Sequence, residues 1–215
     1  MKVVSVNTGK KEIVEWRGQQ VETGIFKYPV KGSIRLGNED VVNDSVVDRK
    51  YHGGIDKAVY AYSHDHYPFW IDQYPDLEWN FGMFGENLTI DGLDESKMKI
   101  GSIYQVGAAK VQVCQPRQPC FKLGIRFNTQ TVLKTFVNQP FCGVYFRVIE
   151  EGDVTVGDEL KLTEEHESLS ITDVYQLLYK QNKESNKLTM KAMECAELPK
   201  SCKASIWKTQ TGTDL

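Results

Sequence analysis

The residue types able to do chemistry converge on one short stretch, Val113-Cys114-Gln115-Pro116-Arg117-Gln118-Pro119-Cys120-Phe121-Lys122-Leu123-Gly124. Pro116 and Pro119 each lock φ and remove a backbone donor. Gln115 and Gln118 each precede a proline and are held toward extended conformations. The chain is therefore stiff and non-helical up to Cys120, where Pro119 can start a helical turn. Thiolate is the nucleophilic and metal-binding form of cysteine, and neighbouring cations or a helix start favour it. Arg117 and Lys122 flank Cys120, so the loop can deliver one activated sulfur as a metal ligand or nucleophile. An isolated cysteine also commonly serves as a small buried apolar side chain, and this stretch alone leaves both readings open.

The second feature is Arg49-Lys50-Tyr51-His52-Gly53-Gly54-Ile55-Asp56-Lys57. Gly53-Gly54 lets the backbone turn sharply and approach a ligand closely, and successive N–H groups in such a turn can cradle an anion. Arg49, His52 and Lys57 add donors suited to phosphate. A hairpin turn with solvated charges is the plain alternative. Glu86-Asn87 follows two glycines and can place polar groups beside a ligand or cap a turn. His64-Asp65-His66 reads as surface decoration, because no His-Glu-x-x-His spacing accompanies it. Gly-x-Ser-x-Gly, phosphate-loop and dinucleotide fingerprints are all missing from the sequence.

These stretches need elements to hold them. The first hundred residues predict short strands at Val3–Val6, Glu12–Trp16, Gly24–Tyr28 and Ser33–Leu36, then Lys57–Tyr62. This spacing of short strands and turn residues suggests a barrel or sandwich. Ser63 is placed to cap a helix that carries Pro68 early and Tyr67, Trp70, Ile71 and Tyr74 at helical spacing. Strands follow at Ile103–Val106, Ala109–Val113 and Gly143–Ile149, with a helix over Thr129–Val137 between the last two. From Ser170 the pattern turns helical, with Ile171, Val174, Leu177 and Leu178 on one stripe. The expected division is residues 1–165, mainly β, and residues 166–215, a three-helix segment.

Composition narrows the class. The chain has 215 residues, 40% hydrophobic and 26% charged, with a net charge of −3, which fits a globular protein with a proper core. No basic stripe points to nucleic acid, and residues 166–215 balance seven Lys against six acidic residues. No apolar run reaches the length of a membrane span. The five cysteines are odd in number and lack C-x-x-C spacing. A reduced, cytoplasmic setting is expected.

Four motifs then line up in order: His52-Gly53-Gly54-x-Asp56-Lys57-Ala58, Phe84-Gly85-Glu86-Asn87-Leu88-Thr89, Gln115-Pro116-Arg117-x-Pro119-Cys120 and Gly143-x-Tyr145-x-Arg147-Val148. Together they resemble the MOSC domain, named for the C-terminal domain of molybdenum cofactor sulfurase, in the YiiM type that adds a short three-helix segment. The resemblance implies a MOSC β-barrel with short helices, the molybdenum cofactor (Mo-molybdopterin), and Cys120 as the thiolate on the metal. It implies an oxidoreductase that detoxifies N-hydroxylated bases such as 6-hydroxylaminopurine. The alternative it leaves is a cofactor carrier or sulfur-transfer module holding a persulfide.

On this resemblance, the Gly53-Gly54 loop with Arg49, Lys57 and Lys27 would hold the cofactor's phosphate; Asp56 and Lys31 are further cofactor-binding candidates, and which of Lys27 and Lys31 faces the cofactor is open. Asn87, Arg117 and Arg147 would bond the pterin or the metal's oxo group. His52, whose imidazole titrates near neutrality, is the candidate proton donor. The expected partners are a small N-hydroxylated substrate and a separate flavoprotein-type reductase, with no DNA and no membrane. A homodimer is left open.

Overall fold

The computed structural model describes residues 1–49, 53–181 and 186–215. Alternating valines near the N-terminus form β1 (Lys2–Gly9), and a turn at Arg17-Gly18 joins β2 (Glu12–Trp16) to β3 (Gln19–Thr23) in a separate hairpin. Short strands β4 (Lys27–Pro29) and β5 (Ile34–Leu36) follow, then β6 (Val59–Ser63) after a 3-10 turn at Ile55–Lys57. Helix α1 (Tyr67–Gln73) carries Pro68 in its first turn, where the missing N–H costs nothing. The sheet continues with β7 (Leu88–Asp91), β8 (Ile103–Val106) and β9 (Ala109–Pro116). Helices α2 (Phe121–Arg126) and α3 (Thr131–Asn138) separate β9 from β10 (Val144–Glu150), which is followed by β11 (Gly152–Val154) and β12 (Leu160–Glu164). Helices α4 (Ile171–Tyr179), α5 (Asn186–Glu194) and α6 (Lys200–Thr211) complete the described chain.

Eight strands form one mixed sheet in the order β12-β8-β9-β10-β6-β7-β1-β4. Only β6 and β7 run parallel; the other neighbours are antiparallel. The expected β-barrel is corrected here: among the described residues the sheet stays open. Its ends touch without zipping. The Gly157–Leu160 stretch bonds Met1 and Val3 (Val3 N to Asp158 O, 2.8 Å; Leu160 N to Met1 O, 2.9 Å) and makes the single bridge Lys2↔Glu159. The rest of β12 follows β8, while β4 takes the far half of the β1 edge, so no continuous ladder closes the ring.

Two local expectations also change. Gly24–Tyr28 is not one strand. Any side chain at Gly24 would sit 1.9 Å from Ser45 O, so this segment lies tight against the 44–46 loop, and pairing resumes only at Lys27. Ser63 does not cap a helix through its side chain; its hydroxyl is buried without a hydrogen-bond partner among the described residues. Ser170 does cap: its Oγ accepts from Asp173 N at 3.0 Å, while Asp173 accepts from Ser170 N at 2.8 Å.

One apolar cluster runs from Val3 and Val6 through Trp70, Phe84 and Phe146 to Val174, Leu177 and Ile206. The C-terminal helices thus bury their stripes against the same core as the sheet. An aromatic stack anchors it: Tyr62 and Phe84 lie 4.1 Å apart, and Trp70 donates to the Tyr62 hydroxyl at 2.6 Å. A buried indole N–H and phenol are thereby satisfied together.

Candidate active site

The stiff end of β9 runs through Pro116 and Pro119 to Cys120, which is extended (φ −122°) at the N-cap position of α2 and partly exposed. Cys120 lines a cleft with a volume of about 80 Å3. Four cationic residues, Lys27, Lys57, Arg117 and Lys122, line the same cleft against one carboxylate, Asp44. Asn87, Gly85, Tyr60 and Tyr145 complete the polar wall.

Lys27, Arg117 and Lys122 are each held by a specific partner. Lys27 is nearly buried, and its Nζ lies 2.5 Å from Asp44 Oδ2. Asp44 also accepts from Asn87 Nδ2 at 2.9 Å and from Gly9 N at 2.8 Å. Asn87 in turn accepts from Tyr60 N at 3.3 Å, so its amide stitches β6, β7 and the Asp44 loop together. Arg117 is buried, donates to Phe84 O, and lays its guanidinium 4.9 Å from the Tyr60 ring centroid, a favourable cation–π placement. Lys122 pairs with Asp48 at 2.6 Å. The two cations expected to flank the thiol therefore reach the cleft while anchored to other groups. Burial is the largest influence on the Lys57 ammonium and moves its pKa down.

The remaining expected residues lie as follows. Lys31 is exposed and does not line the cleft. Arg49 is exposed and pairs with Asp40 and with Glu39 (2.9 Å). Gly54 has φ +91°, a backbone form that side chains rarely adopt, and caps the 3-10 turn that presents Lys57. Asp56 and Arg147 bind each other, Nε to Oδ1 at 2.6 Å, and tie that turn to β10. Arg147 also donates to Gln112 at 3.1 Å. None of Arg49, Gly53, Gly54, Asp56 and Arg147 is a cleft-lining residue. His52 lies outside the described residues.

Two residues that place the site were not singled out from sequence. Asp44 sits in an Asn-Asp turn with no signal that it meets Lys27. Glu86, though noted beside Asn87, is a fully buried carboxylate. It accepts from the Tyr67 hydroxyl, Gly82 N (2.9 Å), Phe84 N (3.0 Å) and Thr89 Oγ1 (2.9 Å). The bend it holds, with Gly82 at φ +87° and Gly85 at φ +74°, presents Gly85 and Asn87 to the cleft and Phe84 O to Arg117.

Cys114, Cys142 and Cys202 are buried, whereas Cys120 and Cys195 are partly exposed. Burial pushes the Cys114 and Cys142 thiols up, and Cys202 up to about 12. Only thiolate reacts readily with alkylating agents. Iodoacetamide on the native protein near pH 8 is expected to label Cys120 and the partly exposed Cys195 first, leaving Cys114, Cys142 and Cys202 until denaturant is added. Peptide mass spectrometry checks the order; early labelling of Cys114 would contradict this picture of the core.

Residues 48–161 match the MOSC domain. The chain belongs to the MOSC family. That region carries Lys57, Asn87, Arg117 and Cys120, while Lys27 and Asp44 come from outside it. YflK of Bacillus subtilis (strain 168) is 42% identical over 160 residues, 74% of this chain and 72% of YflK. YiiM of Escherichia coli (strain K12) is 34% identical over 161 residues, 74% of this chain and 70% of YiiM. A protein of Gibberella moniliformis named "Reductase" is 32% identical over 187 residues, 85% of this chain but 32% of that longer protein. The crystal structure of YiiM from Geobacillus stearothermophilus superposes with a TM-score of 0.78 at 31% identity, covering 97% of this chain and 98% of that one. The fold shared with that structure thus runs past the matched MOSC region into the C-terminal helices. No helix among the described residues is long and apolar enough to cross a membrane.

Proposed function

We propose that this MOSC protein binds the molybdenum cofactor through Cys120 and reduces N-hydroxylated compounds of the 6-hydroxylaminopurine type. The observation that carries this reading is the meeting of one partly exposed thiol with four cationic residues around a single cleft. That donor set fits the group. A soft anionic sulfur suits a metal already ligated by dithiolene sulfurs, and an excess of positive charge suits a phosphorylated pterin. Cys120 would hold the metal, Lys27 and Lys57 would face the phosphate, and Asn87 and Arg117 would line the pterin. When bound, the cofactor supplies two-electron reduction of an N–O bond.

The balance is that R–NHOH, two electrons and two protons give R–NH2 and water: the N–O bond breaks and an N–H bond forms. The chain's own residues hold Lys27 on Asp44 and Lys122 on Asp48 and wall the cleft with the Tyr60 and Tyr145 rings. The electrons come from a separate flavoprotein-type reductase. The likeness to a protein named "Reductase" supports this class of chemistry. Lys31, Arg49, Asp56 and Arg147, which lie off the cleft lining, act in this reading only by supporting the fold around it.

Metal analysis of protein made in a cofactor-synthesising host, followed by turnover of 6-hydroxylaminopurine with an artificial reductant, tests the reading. Stoichiometric molybdenum with amine formation is the expected result. A persulfide on Cys120 without molybdenum would replace it with the sulfur-transfer alternative.

A further inference from the structure

Tyr145, from the last of the four motifs, stands at a junction. Among the described residues, Tyr145, Lys57 and Cys120 line both the cationic cleft and an adjoining open groove that reaches Ser201 and Ser205 of α6. The sheet fixes Tyr145 there from two sides, through Tyr60 on β6 and Gln115 on β9. The β9 register slips by one residue at this point, so Cys114 is left between the partners of Tyr145 and Phe146. Such a bulge re-aims neighbouring side chains and is common beside active sites. Gln115 begins the stiff run to Cys120, and its amide is tied to Asp56 O at 3.1 Å. The Tyr145 ring lies 5.0 Å from the Tyr60 ring, whose own hydroxyl donates to Cys142 O at 2.9 Å. The electrostatics suit a proton that is first held and then given. Loss of water is the largest influence on the Tyr145 hydroxyl and moves its pKa up, so it stays O–H at neutral pH. The Arg117 charge acts the other way and favours the phenolate, while the charge of a Cys120 thiolate also reaches the hydroxyl and disfavours it.

We propose that Tyr145 is the catalytic proton donor to the oxygen that leaves the substrate nitrogen. The assignment rests on the reductase reading of Cys120. In that reaction R–NHOH takes up two electrons, those of the separate flavoprotein-type reductase, and two protons. Tyr145 supplies the proton that joins the departing hydroxyl as the N–O bond breaks, so that water leaves; the other proton ends on nitrogen. The phenolate then regains a proton from solvent through the open groove. Hydroxide is a far stronger base than a phenolate, because bulk water has a pKa of about 15.7, so donation is favourable even from a phenol that burial holds protonated. The buried Arg117 guanidinium offsets the negative charge left on the ring oxygen. The residue thus stands where both requirements meet, beside the proposed metal ligand and on the wall of a space open to solvent.

Tyr145→Phe keeps the ring that packs on Tyr60 and removes only the hydroxyl, so the thermal midpoint is expected to hold. In molybdenum-loaded protein it is expected to lower kcat for 6-hydroxylaminopurine by about 100-fold or more, a usual share for general-acid catalysis, with KM and molybdenum content unchanged. A readout without turnover comes from full-length protein labelled with fluorotyrosine. The fluorine resonance of Tyr145, identified by its loss in Tyr145→Phe, is expected to move when iodoacetamide alkylates Cys120 and to stay in place in Cys120→Ser treated alike. A kcat equal to wild type in Tyr145→Phe overturns the proposal, as does a Tyr145 resonance indifferent to alkylation of Cys120. Loss of molybdenum from Tyr145→Phe also overturns it, by assigning the hydroxyl to holding the cofactor. Failure of the reductase reading shows separately, as absent molybdenum in the wild-type protein.

Discussion

On the proposed function, Cys120→Ser is expected to abolish molybdenum binding and to lower N-hydroxyl reductase activity more than about 100-fold, beyond what losing a mere supporting residue of a metal site costs. Serine keeps the size and the extended backbone of Cys120 at the head of α2. It replaces a soft sulfur by a hard hydroxyl oxygen. The substitution also separates ligation from folding. Serine is among the preferred N-cap residues, so the thermal midpoint is expected to hold or to rise slightly. Metal analysis beside a melting curve reads both effects. A variant that keeps stoichiometric molybdenum removes Cys120 from the metal; one that melts early points to a packing role for the thiol.

Glu86→Ala is expected to be the most destabilising single change near the site. Four donors meet this one carboxylate: the Tyr67 and Thr89 hydroxyls and the N–H groups of Gly82 and Phe84. Glu86 is fully buried, so no bulk water replaces the lost acceptor. Each buried polar group left unsatisfied costs about 1–3 kcal/mol. With partial relaxation the total is on the order of 3–5 kcal/mol, a large share of the roughly 5–15 kcal/mol that holds an ordinary domain together. Urea unfolding checks it. Glu86→Gln is expected to fall between, because an amide oxygen accepts while its NH2 faces donors. The functional consequence follows the fold. Asn87 and Gly85 line the cleft from the bend that Glu86 ties, and Arg117 is braced on Phe84 O. A Glu86→Ala protein still folded at low temperature is expected to bind less molybdenum, whereas an unfolding midpoint equal to wild type would show that the four donors find other partners.

Much of this was legible in the amino acids. The four motifs led to the MOSC family, and the prolines before Cys120 announced a stiff loop at a strand end, which β9 and α2 reproduce. The helix after Ser63 and the helical run from Ser170 were visible through their periodicity, because a 3.6-residue stripe is a local property. The closed barrel was not. Short strands at regular spacing are common to barrels and open sheets, and closure depends on whether the last strand meets the first in register. Here Lys2↔Glu159 is a single bridge, and no local pattern encodes that.

The same distinction runs through the site. Sequence by itself determined that one cysteine sits between prolines and cations, and that glycine pairs at 53–54 and 82–85 bend the chain. Tertiary structure alone decided that Lys27 and not Lys31 reaches the cleft, that Asp44 neutralises it from 17 positions away, and that Arg147 is taken up by Asp56 across 91 positions. It also decided that Ser201 and Ser205 line a groove together with Cys120. The physical reason is range. Backbone stiffness and helical stripes arise from neighbours in the chain, whereas an ion pair or a groove wall arises from strand register and helix packing. A lysine four residues from another is then buried or solvated according to which one the sheet turns inward.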